Sequence, residues 1–178
     1  AMAAIGAGWA VGLDWLVIRA GVSSFISDAQ TAPGRFNLFN YRNATLIADY
    51  GHNPDAIQAL VSAINNIPSK KRSVVISAAG DRRDEDIRQQ TRILGDAFDE
   101  VVLYQDKCQR GRADGEVLTL LREGLGNAKR TQKVSEIVGE DIAIDAALSN
   151  LKDGELCLIL VDQVEQSLGQ INNRIALG

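Results

Sequence analysis

The chain has two cysteines and one histidine among its 178 residues, which limits the metal and disulfide sites that it can build. So few thiol and imidazole ligands cannot make a zinc site of cysteines and histidines, and we predict no bound metal. Cys108 and Cys157 are interpreted as reduced thiols, as is usual for cytoplasmic proteins.

Membrane segments and basic surfaces are also missing. The apolar start, residues 1–13, is shorter than the roughly 20 residues of a spanning helix, and it lacks the positive region of a signal peptide. A net charge of −4 provides no basic excess for a nucleic-acid surface. We therefore expect a cytoplasmic protein with neither a membrane nor a nucleic-acid partner.

Three motifs of nucleotide and acyl chemistry are absent. The chain has no GxxxxGKS or GxxxxGKT phosphate loop, no GxGxxG after the first strand that could be parallel, and no GxSxG nucleophile elbow. Without them the chain carries only part of a site, and we predict no catalytic residue within it.

Apolar, strand-like runs alternate with amphipathic helical patterns after residue 30. The predicted strands are residues 36–42, 44–50, 73–79, 100–105, 131–134 and 155–161. Helices are expected between them, one capped by Asn53 and another by Asp114. This alternation predicts an α/β fold: a Rossmann-like open, mostly parallel sheet with helices on both faces. The short link at Asn43 makes residues 36–42 an antiparallel edge strand of a hairpin.

The first 30 residues have a different character. They contain a helical pattern around residues 13–20 and then the loop-like SDAQTAPG, which begins at residue 27. Ala1 precedes Met2, which suggests a segment cut from something longer. We interpret residues 1–30 as the tail of a preceding domain with its linker, and residues 31–178 as the main domain.

Three polar loops follow three of the predicted strands. They are DYGHNP at residues 49–54, GDRRDED at 80–86 and QDKCQRGRADGE at 105–116. Ligands of open α/β sheets bind beyond the carboxyl ends of the strands, so these loops can converge on one small polar ligand. The mixed charges suit a zwitterionic substrate, although a solvated helix start explains them equally well. His52 is either a functional group or a satisfied loop histidine, and Asp49 either orients a ligand or is a solvated strand end.

The stretch PGRFNLFNYRNATLIADYGHNPDAI resembles the start of the C-terminal domain of the Mur ligases and folylpolyglutamate synthetases. Together, GHNP, GDRRDEDIRQQ and RGRADGE look more closely like the cyanophycin synthetase family, over about residues 30–165. The resemblance implies an ATP-dependent amide ligase, in which ATP phosphorylates a carboxylate and an amine attacks the acyl phosphate. It also implies ATP and Mg²⁺ as cofactors, held mainly by a central P-loop domain of the same parent chain.

The resemblance also implies roles for individual residues. The nucleotide would be contacted by Arg35, Asp49, His52 and Asn53. The incoming amino acid would be met by Asp81, Arg82, Arg83, Asp84, Asp86, Asp106, Arg110, Arg112 and Asp114. In this family the Mur-like half adds L-arginine to the β-carboxylate of a polyaspartate backbone, so arginine and a polyaspartate-type primer are the implied substrates.

Other identities stay open at this stage. The chain lacks the Gly-Lys-Gly-His-Glu and DNPR elements of peptidoglycan ligases, which disfavours that role. The alternatives are another Mur or folylpolyglutamate-type ligase domain, and a non-catalytic Rossmann-like module that binds a metabolite. We expect the parent protein to be a homo-oligomer and this segment alone to be inactive, because it has no P-loop.

Overall fold

The computed structural model describes residues 2–26, 28–105 and 109–177, and these residues form a six-stranded sheet in the order β1-β2-β6-β3-β4-β5. The strands are β1 Asn37–Tyr41, β2 Ala44–Asp49, β3 Arg72–Ile76, β4 Glu100–Gln105, β5 Lys133–Val138 and β6 Leu156–Leu160. β1 pairs with β2 antiparallel, and every other pair is parallel. The predicted fold class, including the antiparallel edge hairpin, is confirmed.

The helices are α1 Met2–Ala10, α2 Trp15–Ser24, α3 Pro54–Ile64, α4 Asp84–Gly95, α5 Glu116–Gly124, α6 Glu140–Asn150 and α7 Val164–Ala176. Helices α3 to α7 cover both faces of the sheet. Apolar side chains of α3, α4 and α5 form one core cluster with the sheet, and those of α6 and α7 form the other. The sheet is therefore the middle of three layers.

The central strand β6 shows why an uninterrupted apolar run correctly predicted a buried strand. All five of its residues are buried. Leu158 and Leu160 belong to the cluster under α3–α5, whereas Cys157 and Ile159 belong to the cluster under α6 and α7. Successive side chains of a strand point to opposite faces, so a strand covered on both faces needs apolar residues at every position.

Several predicted boundaries were wrong. The strand predicted at residues 73–79 ends at Ile76. The strand expected at residues 131–134 is β5, Lys133–Val138, and its side chains are exposed or half-buried because it lies at the sheet edge. Gly115, not Asp114, occupies the N-cap of α5, with φ of +81°. The start of the chain forms two helices rather than one, and the second is capped by Asp14, which accepts a hydrogen bond from Leu16 N–H at 2.8 Å.

The two N-terminal helices form a hairpin with a largely apolar, exposed surface. Of their residues only Ile18 is buried, while Trp9, Trp15 and Leu16 are exposed. Among the described residues, no helix combines the length and hydrophobicity that crossing a membrane would require.

Candidate functional site

The loops at the carboxyl ends of the parallel strands meet at one edge of the sheet. β6 lies between β2 and β3 in the sheet, although it comes last in sequence. The loop after β6 is consequently placed between the loop after β2 and the loop after β3. This order brings residues 161–163 into the centre of the predicted site.

The Asp49 carboxylate, at the end of β2, holds the turn that carries Arg35. It is 8% exposed, and its Oδ2 accepts a hydrogen bond from Phe36 N–H at 2.7 Å. Phe36 and Gly34 both have positive φ, at +50° and +69°, and the Gly34 carbonyl accepts from Tyr50 N–H at 2.9 Å. Asp49, at the end of β2, therefore stabilises a turn whose positive φ angle at Phe36 is otherwise unfavourable.

Asn37 also holds this turn, and its role was not predicted from the sequence. Its buried side chain accepts from Gly34 N–H at 2.7 Å and donates to the Ala32 carbonyl at 2.9 Å. The exposed Arg35 guanidinium lies 5.7 Å from the centre of the Tyr50 ring, within range of a cation–π contact. Because its turn is held from two sides, Arg35 is presented at the site edge.

His52 and Asn53 form the start of α3. His52 is 7% exposed, and its Nδ1 lies 2.7 Å from the Tyr50 carbonyl. A carbonyl oxygen only accepts, so Nδ1 carries a hydrogen and Nε2 points to Asp162, whose Oδ1 is 3.6 Å away. Asn53 caps the helix as predicted, accepting from Ala56 N–H at 2.9 Å.

Arg110 connects three of the loops. Its guanidinium lies 3.5 Å from Asp162 Oδ1 and 3.6 Å from Asp81 Oδ1, and it is hydrogen-bonded to the Tyr50 side chain. Burial acts to lower the pKa of Arg110, but the Tyr50 hydrogen bond and the charges of Asp162 and Asp81 outweigh it, so the pKa is raised. Arg110 is thus a fixed positive charge where the predicted nucleotide and amino-acid loops meet.

Arg112, in contrast, is an internal brace. Its side chain is 16% exposed and donates to the Gly80 carbonyl at 2.6 Å and the Arg82 carbonyl at 2.7 Å. It also pairs with Asp84 at 2.8 Å and with Glu116 at 2.6 Å. These four acceptors occupy the guanidinium, so Arg112 joins the loop after β3 to the start of α5.

The other described residues predicted to bind the amino acid lie in the loops after β3 and β4 or on the first turn of α4. Arg83 and Asp86 make a bidentate pair on the first turn of α4, which lowers the pKa of Asp86. Arg82 and Asp114 are exposed. Asp106 lies outside the described residues.

The loop after β6 supplies a site residue that sequence reasoning did not select. The Asp162 side chain is 9% exposed and lies between His52 and Arg110. Its backbone N–H donates to Glu140 Oε1 at 2.8 Å, and Gln163 N–H donates to Glu140 Oε2 at 3.0 Å. The sequence feature that could have identified Asp162 is its position as an acidic residue directly after the most apolar strand.

Within the described residues, no group of three or more histidine, cysteine, aspartate or glutamate side chains is arranged to hold a metal ion. Four of the acidic side chains are instead paired with arginines: Asp81, Asp84, Asp86 and Asp162. The chemistry of this edge is therefore recognition of charged groups by arginines and carboxylates, next to a helix start that favours anions.

Comparison with known proteins identifies the family of the chain. A family model described as Mur ligase, glutamate ligase domain matches residues 34–160. The chain belongs to this family. The match covers every strand from β1 to β6 and the site loops after β2, β3 and β4, and it confirms the family resemblance seen in the sequence.

Individual relatives of this Mur ligase domain include longer ligases. Cyanophycin synthetase from Synechocystis sp. is 32% identical over 178 residues, 100% of this chain and 20% of that protein. UDP-N-acetylmuramoyl-L-alanyl-D-glutamate–2,6-diaminopimelate ligase from Alkaliphilus metalliredigens is 28% identical over 160 residues, 89% of this chain and 31% of that protein. The domain thus spans about a fifth of the length of the cyanophycin synthetase that it matches.

A solved structure shows the same fold. The structure of E. coli FolC in complex with ADP, without folate substrate, has a TM-score of 0.70 and 23% sequence identity, over 93% of this chain and 36% of that one. At this identity the likeness establishes the fold of the Mur ligase domain.

Proposed function

We propose that this chain is the C-terminal domain of an ATP-dependent amide ligase of the cyanophycin synthetase type. The observation that carries the proposal is the joining of two loops through one carboxylate: Asp162 lies between His52 of the nucleotide-side loop and Arg110 of the amino-acid-side loop. This contact links the loop proposed to meet ATP to the loop proposed to hold the incoming amine. The 32% identity to a cyanophycin synthetase along the whole chain supports the same assignment.

On the nucleotide side, Arg35, His52 and Asn53 meet the phosphates of ATP. The exposed Arg35 guanidinium and the N-terminus of α3 provide positive charge and N–H donors for an anion. Asp49 contributes by holding the Arg35 turn through Phe36. ATP supplies the phosphoryl group that activates a carboxylate as an acyl phosphate. The P-loop and the Mg²⁺ site belong to the central domain of the parent chain.

On the other side, the loops after β3 and β4 receive L-arginine. Arg110 attracts the α-carboxylate, and we assign Asp81, Asp106 and Asp114 as the acids that recognise the guanidinium of the substrate. Arg82 adds positive charge, while Arg83, Asp84, Asp86 and Arg112 shape the pocket through their mutual pairs. The α-amine then attacks the activated β-carboxylate of a polyaspartate primer; the new C–N bond forms, and phosphate leaves with the C–O bond that breaks.

The wider assignments follow from this role. Residues 1–30 form the end of the preceding central domain and its linker, and residues 31–178 form the closing domain. The exposed apolar surface of the α1–α2 hairpin supports this division. The parent enzyme is cytoplasmic and homo-oligomeric, and the 178-residue segment is inactive without its P-loop domain.

The test uses the full parent chain with ATP, Mg²⁺ and a polyaspartate primer, and it measures ADP release with arginine, aspartate, lysine, glutamate or diaminopimelate. ADP release that requires both the primer and arginine is the expected result. Diaminopimelate dependence with a muramyl dipeptide acceptor, or glutamate dependence with a folate acceptor, would replace this proposal with the corresponding ligase. Amino-acid binding without ADP release under any condition would instead indicate a metabolite-binding module.

A further inference from the structure

The Glu140 carboxylate is buried and directed at a turn that belongs to another part of the fold. It is 7% exposed, at the start of α6, which follows the edge strand β5. Its Oε1 accepts from Asp162 N–H and from the Ser167 hydroxyl, both at 2.8 Å, and its Oε2 accepts from Gln163 N–H at 3.0 Å. The carboxylate therefore ties the edge of the sheet to the turn after the central strand.

Three hydrogen-bond donors explain why the Glu140 carboxylate is stable although it is buried. Burying a carboxylate is costly unless hydrogen bonds replace its hydration, and here both oxygens of Glu140 are used. A glutamine would have the same shape, but its NH₂ group would face an N–H donor and could not accept. The position thus requires a carboxylate rather than a side chain of similar size.

The turn held by Glu140 carries the Asp162 carboxylate. That carboxylate lies 3.6 Å from His52 Nε2 and 3.5 Å from Arg110 Nη2, and both distances are long for hydrogen bonds. Such loose contacts do not fix Asp162 by themselves. The hydrogen bonds from the Asp162 and Gln163 backbone N–H groups to Glu140, at 2.8 and 3.0 Å, are shorter. They fix the backbone position from which the Asp162 side chain extends.

We propose that Glu140 is a positioning residue of the ligase reaction: it holds Asp162 between the nucleotide loop and the amino-acid loop and contacts no substrate itself. This inference rests on the proposed function. Loss of the Glu140 charge should leave the domain folded but let the turn move. Arg110 would then lose a fixed partner, and the amino acid would be held less well.

The first test compares Glu140→Gln, Asp162→Asn and the double variant in the full parent ligase, with Asp141→Asn as the control. Asp141 is exposed and neighbours Glu140 on the first turn of α6, so its variant removes the same charge without touching the turn. We expect the arginine KM to rise about tenfold in Glu140→Gln, as for loss of a hydrogen bond to a charged group. The double variant should be no worse than Asp162→Asn alone. Additive effects, or an equal effect of Asp141→Asn, would overturn the proposal.

The second test does not depend on activity. His52 is the single histidine of the chain, so its ring signals in a proton–nitrogen NMR spectrum of the 178-residue protein need no further assignment. Glu140→Gln should shift these signals, and Asp141→Asn should leave them in place. Unchanged signals in Glu140→Gln would overturn the positioning role. A wild-type parent that forms no amide would instead overturn the proposed function, and the His52 signals would still decide whether Glu140 places Asp162.

Discussion

Replacing Arg112 by methionine should destabilise the domain through lost carbonyl hydrogen bonds more than through lost ion pairs. The variant removes the donors to the Gly80 and Arg82 carbonyls and both carboxylate partners. The Gly80 carbonyl is buried, and a buried carbonyl that loses its donor costs about 1–3 kcal/mol, whereas each ion pair with a half-exposed carboxylate contributes about 0.2–1 kcal/mol. The sum is roughly 1.5–5 kcal/mol of unfolding free energy, or about 3–20 °C in Tm.

Urea unfolding of the two proteins measures this loss, and Arg92→Met is the matched control. The Arg92–Glu85 pair lies on the same helix as Asp84, and both of its side chains are more than half exposed. The Arg92→Met control should lose less than about 1 kcal/mol of unfolding free energy. Most of the Arg112→Met loss should persist in about 1 M NaCl, where exposed ion pairs are screened. A loss equal to that of the control, or one that disappears in salt, would show that Arg112 is not a brace.

Two further predictions concern the core and the pH dependence of stability. The Gln90 amide is fully buried and neither its oxygen nor its nitrogen has a hydrogen-bond partner, so Gln90→Met should stabilise the protein by about 1–2 kcal/mol, while the exposed Gln89→Met should be neutral. A stability loss in Gln90→Met, measured by urea unfolding, would disprove this. Burial acts to raise the pKa of Asp99, but hydrogen bonds from Arg130 and the Arg72 N–H outweigh it and the pKa is lowered. Its stabilisation is therefore fully present above about pH 4 and lost as the pH falls through the lowered pKa, so the difference between wild type and Asp99→Asn in unfolding free energy should shrink in acid; a difference independent of pH would contradict this.

The sheet was predictable from sequence wherever burial on both faces leaves an uninterrupted apolar run. The runs at residues 44–50 and 100–105 became β2 and β4 with little change, and Asn53 with Pro54 marked the start of α3 correctly. β5 was misplaced because an edge strand exposes much of its surface and carries no such run. α1 was missed because its residues are apolar all round and show no amphipathic period.

The sequence predicted which loops form the candidate site but not which of their residues contact one another. Strand ends place the loops, so DYGHNP and the loop after β4 were found from their polarity alone. The roles of Asp162 and Glu140 depend on a contact between residues 22 positions apart, which no local pattern encodes. The family resemblance assigned Arg112 to the amino acid, but it could not show that the protein already supplies four acceptors to this guanidinium.

Transfer of labelled arginine to polyaspartate by the full parent chain tests the central claim most directly. Wild type, Arg110→Met and the Arg92→Met control would be compared with saturating ATP and Mg²⁺. The account predicts ATP-dependent incorporation by wild type and by the control, and a rate at low arginine reduced at least about tenfold in Arg110→Met, because the guanidinium that attracts the α-carboxylate is gone. No incorporation by wild type, or an Arg110→Met enzyme as active as the control, would contradict it.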